Sequence, residues 1–359
     1  MRFLYTADCH IGCRQYGMFE RELDFYCALN KIFTIAVEEK VDAVVIAGDL
    51  FDSTKPSSKA VYEVRKLVSD FELAGIEVLG VEGNHDLTGN GYWLRVCGIW
   101  PLGILPKTVN GCNFNGFDYA RSDELLNRME TRSEEDRKAD DDVVVMHAGF
   151  SEMGDSFNAD LSVGSVTGFL KKMGTKYVAN GHIHIPMEQM HDGILFVQPG
   201  SIEMKSLDEP QDKSVEIVEF DTDARKIASV RKIPYQTRHV HFINIEKDED
   251  VAKMVEAGCD GLRDKLVVAY VSSAVDNGIS RVEDWLKRSG LLFRVVPVSS
   301  SSEIVGGSEF DRSKAMISLK DAVDAYFDED DERHKLVMEI LSTDNVRHVV
   351  EKFLNGETK

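Results

Sequence analysis

The chain has 359 residues, with 42 Lys+Arg against 62 Asp+Glu, a formal net charge of −20 and 43% hydrophobic residues. That length exceeds one typical core, so one large domain with smaller appendages is expected, and the apolar fraction argues against wholesale disorder. No run approaches the ~18–20 uninterrupted apolar residues of a membrane helix, so no membrane association is expected.

The opening MRFLYTADCH reaches Asp8 without an apolar h-region, so no signal peptide is read. Six scattered cysteines without a CxxC pair suit a reducing cytoplasm, the expected location. The acidity works against polyanion binding over the surface as a whole. A nucleic-acid substrate would need local basic patches, bound metal or a partner.

Taken in chain order, Arg2–Ala7 reads as a short strand. Leu23, Tyr26, Leu29 and Phe33 recur at helical spacing over about 19–39. Val41–Ala47 (VDAVVIA) is a nearly continuous apolar run that suits a strand buried on both faces. Pro56 opens a second helix carrying Val61, Val64, Leu67, Val68 and Phe71, with Gly75 as its stop. Ile76–Val81 is the next strand. This βαβαβ order implies parallel pairing in a layered α/β core. Arg121–Asp142 reads as a solvated helix and loop, and strands resume at Asp142–Met146, Lys176–Ala179, Ile194–Val197 and Val215–Phe220.

A break is expected near Pro234, which gives a core over 1–235. Residues 236–298 carry a second αβ pattern: strands at His239–Ile245, Leu266–Val271 and Phe293–Val298, with helices near Val251–Ala257 and Val282–Lys287. The run SSSSEIVGGSE begins a linker over 299–315, and 316–359 reads as helical with an acidic break at 328–332.

Five strand-like runs end in polar residues able to hold a metal: Asp8-Cys9-His10, Gly48-Asp49-Leu50-Phe51-Asp52, Gly83-Asn84-His85-Asp86, Met146-His147 and Asn180-Gly181-His182-Ile183-His184. In an open parallel sheet, ligands collect beyond the carboxyl ends of the strands, so the five segments are expected to converge on one edge. Asp8 and His10 share one face of an extended chain. His182 and His184 do the same, roughly 6–7 Å apart at ~3.3 Å per residue, a spacing that lets two imidazoles straddle a metal pair. Carboxylate, amide and imidazole without thiolate favour manganese, iron or zinc over copper(I) or an iron–sulfur cluster.

In order and context, YTADCHIG, AGDLFD, EGNHD, VVMHAGF and NGHIHIP followed by VQPGSIEM resemble the calcineurin-like metallophosphoesterase superfamily, and within it the SbcD-type nuclease subunits of DNA double-strand-break repair complexes. The likeness covers the core; residues 236–298 resemble the family's capping domain, and the terminal segment its partner-binding region. The resemblance implies two divalent metals, Mn2+ by preference. Asp8, His10, Asp49 and His184 would hold one; Asp49, Asn84, His147 and His182 would hold the other, with Asp49 bridging. His85 would contact the phosphate or protonate the leaving 3′-oxygen, as the catalytic residue. Asp86 would orient its neighbours from behind. Asp52 is given the same role, although several relatives carry His there, and it takes over no DNA-positioning function. The activity implied is double-strand exonuclease and single-strand or hairpin endonuclease cleavage of DNA, by a homodimer working with an SMC-like (SbcC-type) coiled-coil ATPase.

A stand-alone phosphoesterase for small phosphoesters or phosphoproteins would share every ligand, and a non-catalytic scaffold would need none of them. Lys55, Lys59, Arg65, Lys66, Arg14 and Arg21 form a loose basic set near the first two motifs and are candidates to track phosphates.

Overall fold

The computed structural model describes residues 1–134, 140–154 and 161–298. The linker and helical tail expected over 299–359 lie outside the described residues. The described chain divides into two compact units that meet at Arg238 and His239.

The first unit contains β1 (Arg2–Thr6), α1 (Phe19–Glu38), β2 (Ala43–Ala47), α2 (Ser58–Leu73), β3 (Glu77–Val81), α3 (Tyr92–Cys97), β4 (Trp100–Pro101), β5 (Lys107–Val109), β6 (Cys112–Phe117), α4 (Ser122–Glu134), β7 (Val143–His147), α5 (Val163–Lys172), β8 (Tyr177–Gly181), β9 (Met187–His191), β10 (Ile194–Gln198), β11 (Lys213–Asp221) and β12 (Lys226–Tyr235). These strands form two six-stranded sheets, β12-β11-β1-β2-β3-β4 and β5-β6-β7-β8-β10-β9. The central neighbours β1–β2–β3 and β6–β7–β8–β10 pair in parallel. Antiparallel strands close the flanks at β11–β12, β5 and β9.

The strand alternation decides what each face buries. Phe3 and Tyr5 of β1 point between the sheets, where they meet Val45, Leu79, Phe114, Val145 and Tyr177, while Leu4 points outward against α1 and α2. The outer face of the second sheet packs on α4 and α5. The result is a four-layer α/β arrangement in which parallel strands of both sheets bring their carboxyl ends to the site described below.

Local signals explain most elements. Ser57 caps α2 by accepting from the Ala60 amide at 3.1 Å, and Gly75 follows its end with φ 76°. The α1 stripe is rotated from the sequence expectation. Phe25, Tyr26, Leu29, Ile32 and Ala36 are buried, whereas Leu23 is 39% exposed. Pro234 itself lies in β12, which runs to Tyr235, and the boundary between the two units follows at Arg238 and His239. As an edge strand β12 tolerates a residue without an amide N–H.

Arg21, a candidate phosphate contact from sequence, is fully buried. Its guanidinium donates to Gln15 Oε1 at 2.8 Å, Asp24 Oδ2 at 2.6 Å, Glu203 Oε1 at 3.1 Å and the Met204 carbonyl at 2.8 Å. It therefore ties the start of α1 to the loop after β10 and faces no solvent.

The second unit has β13 (Val240–Ile245), α6 (Asp248–Ala257), β14 (Leu266–Ser272), α7 (Gly278–Arg288) and β15 (Leu292–Val298). Its three strands are parallel, in the order β13-β14-β15, over a core of Ile245, Val251, Val267, Ala269, Val282 and Leu286. Among the described residues no helix is long and apolar enough to cross a membrane.

Replacing Arg21 with Ala should cost about 3–5 kcal/mol, because it leaves the Glu203 carboxylate buried without its cation. Urea melts of the variant and the parent measure this; a difference under ~0.5 kcal/mol would contradict the buried role.

Candidate metal centre

Asp8 and His10 follow β1, Asp49 follows β2, Asn84 and His85 follow β3, His147 ends β7, and His182 and His184 follow β8. The backbone bends sharply there. Asp8, His10, Asp49 and His182 all have positive φ (51°, 44°, 48° and 103°), a region L-residues enter at a cost and which clusters at functional sites. Two glycines permit the close approach. A Cβ on Gly83 would lie 2.1 Å from Asp49 Oδ1, and one on Gly181 would lie 2.0 Å from the Ala47 carbonyl oxygen.

Among the described residues donor atoms gather in three groups: Asp8, His10 and His184; Asp8, Asp49 and His147; and His10, Asp52 and His85. In the first, His10 Nε2 and His184 Nε2 are 3.0 Å apart, and His184 Nε2 is 3.9 Å from Asp8 Oδ1. Two donors about 2.1 Å from a common ion, at right angles, lie ~3 Å apart. In the second region Asn84 Oδ1 is 3.0 Å from both His147 Nε2 and His182 Nδ1. Asp49 Oδ2 lies between the two halves, 3.7 Å from His10 Nε2 and 3.5 Å from His147 Nε2.

The electrostatics fit cations. Asp8 and Asp49 are 0% and 2% exposed, and among the described residues their ion pairs are made only by histidines. Burial pushes the Asp8 carboxyl up. Burial would also raise Asp49, but the charge and hydrogen bond of His147, with His10 and the His85 amide, hold it below the usual carboxylate range. Burial would lower His147, yet Asp49 and Asp8 pull it up to about 9, so a proton there supplies charge that two buried carboxylates demand. Burial pushes His10 and His182 down to about 4, which leaves them neutral with lone pairs to donate. The donor set suits divalent ions of borderline hardness.

Supporting contacts orient these donors. The Ala47 carbonyl accepts from His147 Nδ1 at 2.8 Å, which frees Nε2 for the site. The His182 amide donates to both oxygens of Asp8 at 3.1 Å, and the His85 amide to Asp49 Oδ1 at 2.8 Å. Asp86 accepts from the Phe51 and Gly83 amides and ties the second motif to the third, with its carboxyl raised to about 7 by burial and by Asp49. His85 Nδ1 meets the Asp52 carbonyl at 3.0 Å, so its Nε2 faces outward.

Two residues of the site, Glu209 and Lys205, escape the sequence reading, and Asn180 enters it only as part of its motif. Glu209 accepts from His184 Nδ1 at 2.7 Å and fixes that ring. The Asn180 side chain clamps Ala148 through both its amide and its carbonyl, and so sets the turn after His147. Lys205 places its ammonium 2.8 Å from Asp52 Oδ1. Of the basic set named from sequence, Arg14 and Lys59 share Glu22, and Arg65 pairs with Glu72.

The calcineurin-like phosphoesterase family model matches residues 1–186. Curated relatives named DNA double-strand break repair protein Mre11 include that of Haloferax volcanii, 30% identical over 68% of this chain and 54% of its own length. Those of Halobacterium salinarum and Archaeoglobus fulgidus are 27% and 29% identical over 68% and 70% of this chain. The chain spans 63% and 62% of their lengths, so it matches only part of each of these three relatives.

Glu209 carries the pH dependence of this support. Burial would raise its carboxyl, but His184 and Lys213 hold it at about 2, below its ordinary 4.5. A depressed carboxyl contributes stability that is full above its unfolded value and is lost as pH falls through the folded one. In EDTA-treated protein, Glu209→Gln should therefore flatten the loss of stability between pH ~4.5 and ~2. Urea melts at stepped pH test this, and an unchanged acid slope would contradict it.

Proposed function

Because the chain belongs to the calcineurin-like phosphoesterase family, we propose that it is a metal-dependent DNA nuclease whose two metals are held by Asp8, His10, Asp49, Asn84, His147, His182 and His184. The observation that carries this reading is the place of Asp49, whose Oδ2 approaches both His10 and His147. The bound metals would supply charge stabilisation to the phosphate and an activated water.

The chain's own residues do the rest. Asp49 spans the two ligand groups and sets their separation. Glu209 and the Ala47 carbonyl orient His184 and His147 through Nδ1, so that each Nε2 faces the site, where a bound metal would take the place of its proton. His85, anchored through Nδ1 on the Asp52 carbonyl, presents Nε2 to the leaving oxygen and moves the proton there. Manganese is the ion the proposal favours. Four imidazoles and an amide suit a borderline metal, whereas magnesium prefers oxygen donors and keeps its waters.

The names of the curated relatives, DNA double-strand break repair proteins, support DNA as the substrate. Family resemblance supports an SMC-like ATPase partner, docked by the segment beyond residue 315. Exposed apolar side chains on α2 (Tyr62, Leu73) and on α3 (Tyr92, Val96) support a homodimer that covers them.

Cleavage of linear and hairpin DNA beside bis(p-nitrophenyl) phosphate, with Mn2+ or Mg2+ returned after chelation, tests the function. DNA cleavage faster in Mn2+ is expected. Hydrolysis of the small diester without any DNA cleavage would point instead to a small-molecule phosphoesterase.

Asp49→Asn should lower turnover more than loss of any one terminal ligand, since it removes charge shared by both ion sites. Near-normal activity with normal metal content would refute the bridging role. His85→Ala should keep both metals and lose about 10²–10⁴-fold in turnover. Loss of metal from that variant, measured by elemental analysis, would make His85 a ligand and overturn the proton-transfer assignment.

A further inference from the structure

Of the three groups of donors at the site, the one made by His10, Asp52 and His85 differs from the others in already having a cation of the protein's own. Lys205 Nζ lies 2.8 Å from Asp52 Oδ1, 3.2 Å from His10 Nδ1 and 3.4 Å from His85 Nε2. The lysine arrives there on a clamped backbone. Its amide donates to Glu209 Oε1 at 3.2 Å, and its carbonyl accepts from Gln15 Nε2 at 2.6 Å. Glu209 is the same carboxylate that fixes His184, and Gln15 is itself held by the buried Arg21.

The three contacts are not equal. An ammonium has three N–H donors and no lone pair. Its contact with Asp52 Oδ1 is an ion pair at 2.8 Å that needs no imidazole lone pair. The contacts to His10 and His85 use imidazole lone pairs. A His10 that ligates through Nε2 carries its proton on Nδ1 and has no lone pair for the lysine; that proton faces Asp52 Oδ1, 3.4 Å away. A His85 that delivers a proton from Nε2 likewise offers none. In the working site two of the three ammonium N–H groups are therefore released, beside His10 and His85, where a phosphate group meeting both residues has to lie.

We propose that Lys205 is a substrate-binding residue: its ammonium, anchored on Asp52, donates to an oxygen of the scissile phosphate on the side of His85. This rests on the phosphodiesterase reading of the site and adds to it a positive contact on the chain itself. It also gives Asp52 a task suited to a carboxylate, that of holding the lysine.

The test measures inorganic phosphate affinity by titration calorimetry on the full chain loaded with Mn2+, together with metal content and kcat/KM on bis(p-nitrophenyl) phosphate. Lys205→Ala should weaken phosphate binding and lower kcat/KM by roughly 10- to 100-fold, the scale of one charged hydrogen bond, with metal content unchanged. Lys205→Arg should recover part of the loss, and Lys205→Cys alkylated to its aminoethyl form should recover more. Unchanged phosphate affinity in Lys205→Ala would overturn the proposal. So would loss of metal from that variant, which would make the lysine a support for His10. Linear DNA cleavage by the parent protein is read alongside. If the parent binds phosphate and cuts the small diester but no DNA, the nuclease reading fails while the lysine assignment is still decided by the phosphate affinities. If the parent cuts DNA and Lys205→Ala binds phosphate normally, the lysine assignment alone fails.

Discussion

Two carboxylates, Asp8 and Asp49, are buried side by side at the carboxyl ends of β1 and β2, and among the described residues no lysine or arginine pairs with either. Removing an ion from water costs several kcal/mol even after relaxation, so this pair constrains everything around it. Backbone amides of His182 and His85 point at the oxygens, and imidazoles of His10, His147 and His184 stand within ion-pair range. Those partners can be reached only because the chain turns through positive φ at Asp8, His10, Asp49 and His182, each of which costs of order 1–3 kcal/mol when the residue is strained. Such an arrangement persists when something repays the strain and the burial together. A pair of divalent cations is the simplest group with the charge to do so.

The motif-bearing strands were legible because they are buried on both faces. β1, β2, β3, β7 and β8 are short apolar runs, and each hands the chain to a polar turn. Elements with weaker patterns were not. β9 carries Glu188, Gln189 and His191, and β12 alternates partly exposed residues on a sheet edge, so neither shows the hydrophobic run of a central strand. α5 holds Gly164 and Gly168, which lower helix propensity, and it is fixed instead by a reciprocal Ser162–Ser165 cap and by buried Val163, Val166 and Leu170. That the strands divide into two facing sheets is a long-range fact that no local period encodes.

The same contrast holds within the site. The seven residues expected to ligate sit in strand-end motifs whose residue types announce them. Lys205 and Glu209 lie in a loop, one residue and five residues beyond VQPGSIEM, and nothing in their own spacing marks them. They matter through contacts 25 to 195 residues away along the chain, to His184 and His10. Arg21 is the converse case. It looked like a surface cation, and its ion pairs with Asp24 and Glu203 take it into the core. On a chain of net charge −20, Arg14 and Lys59 both pair with Glu22, whereas Lys205 brings its ammonium to His10 and His85 at the site itself.

Manganese titration of the chelated protein, followed by elemental analysis and electron paramagnetic resonance, tests the shared-carboxylate centre most directly. The account predicts two ions per chain and a spin-coupled signal, because Asp49 would join them. One ion per chain, or two ions with independent signals, would contradict it.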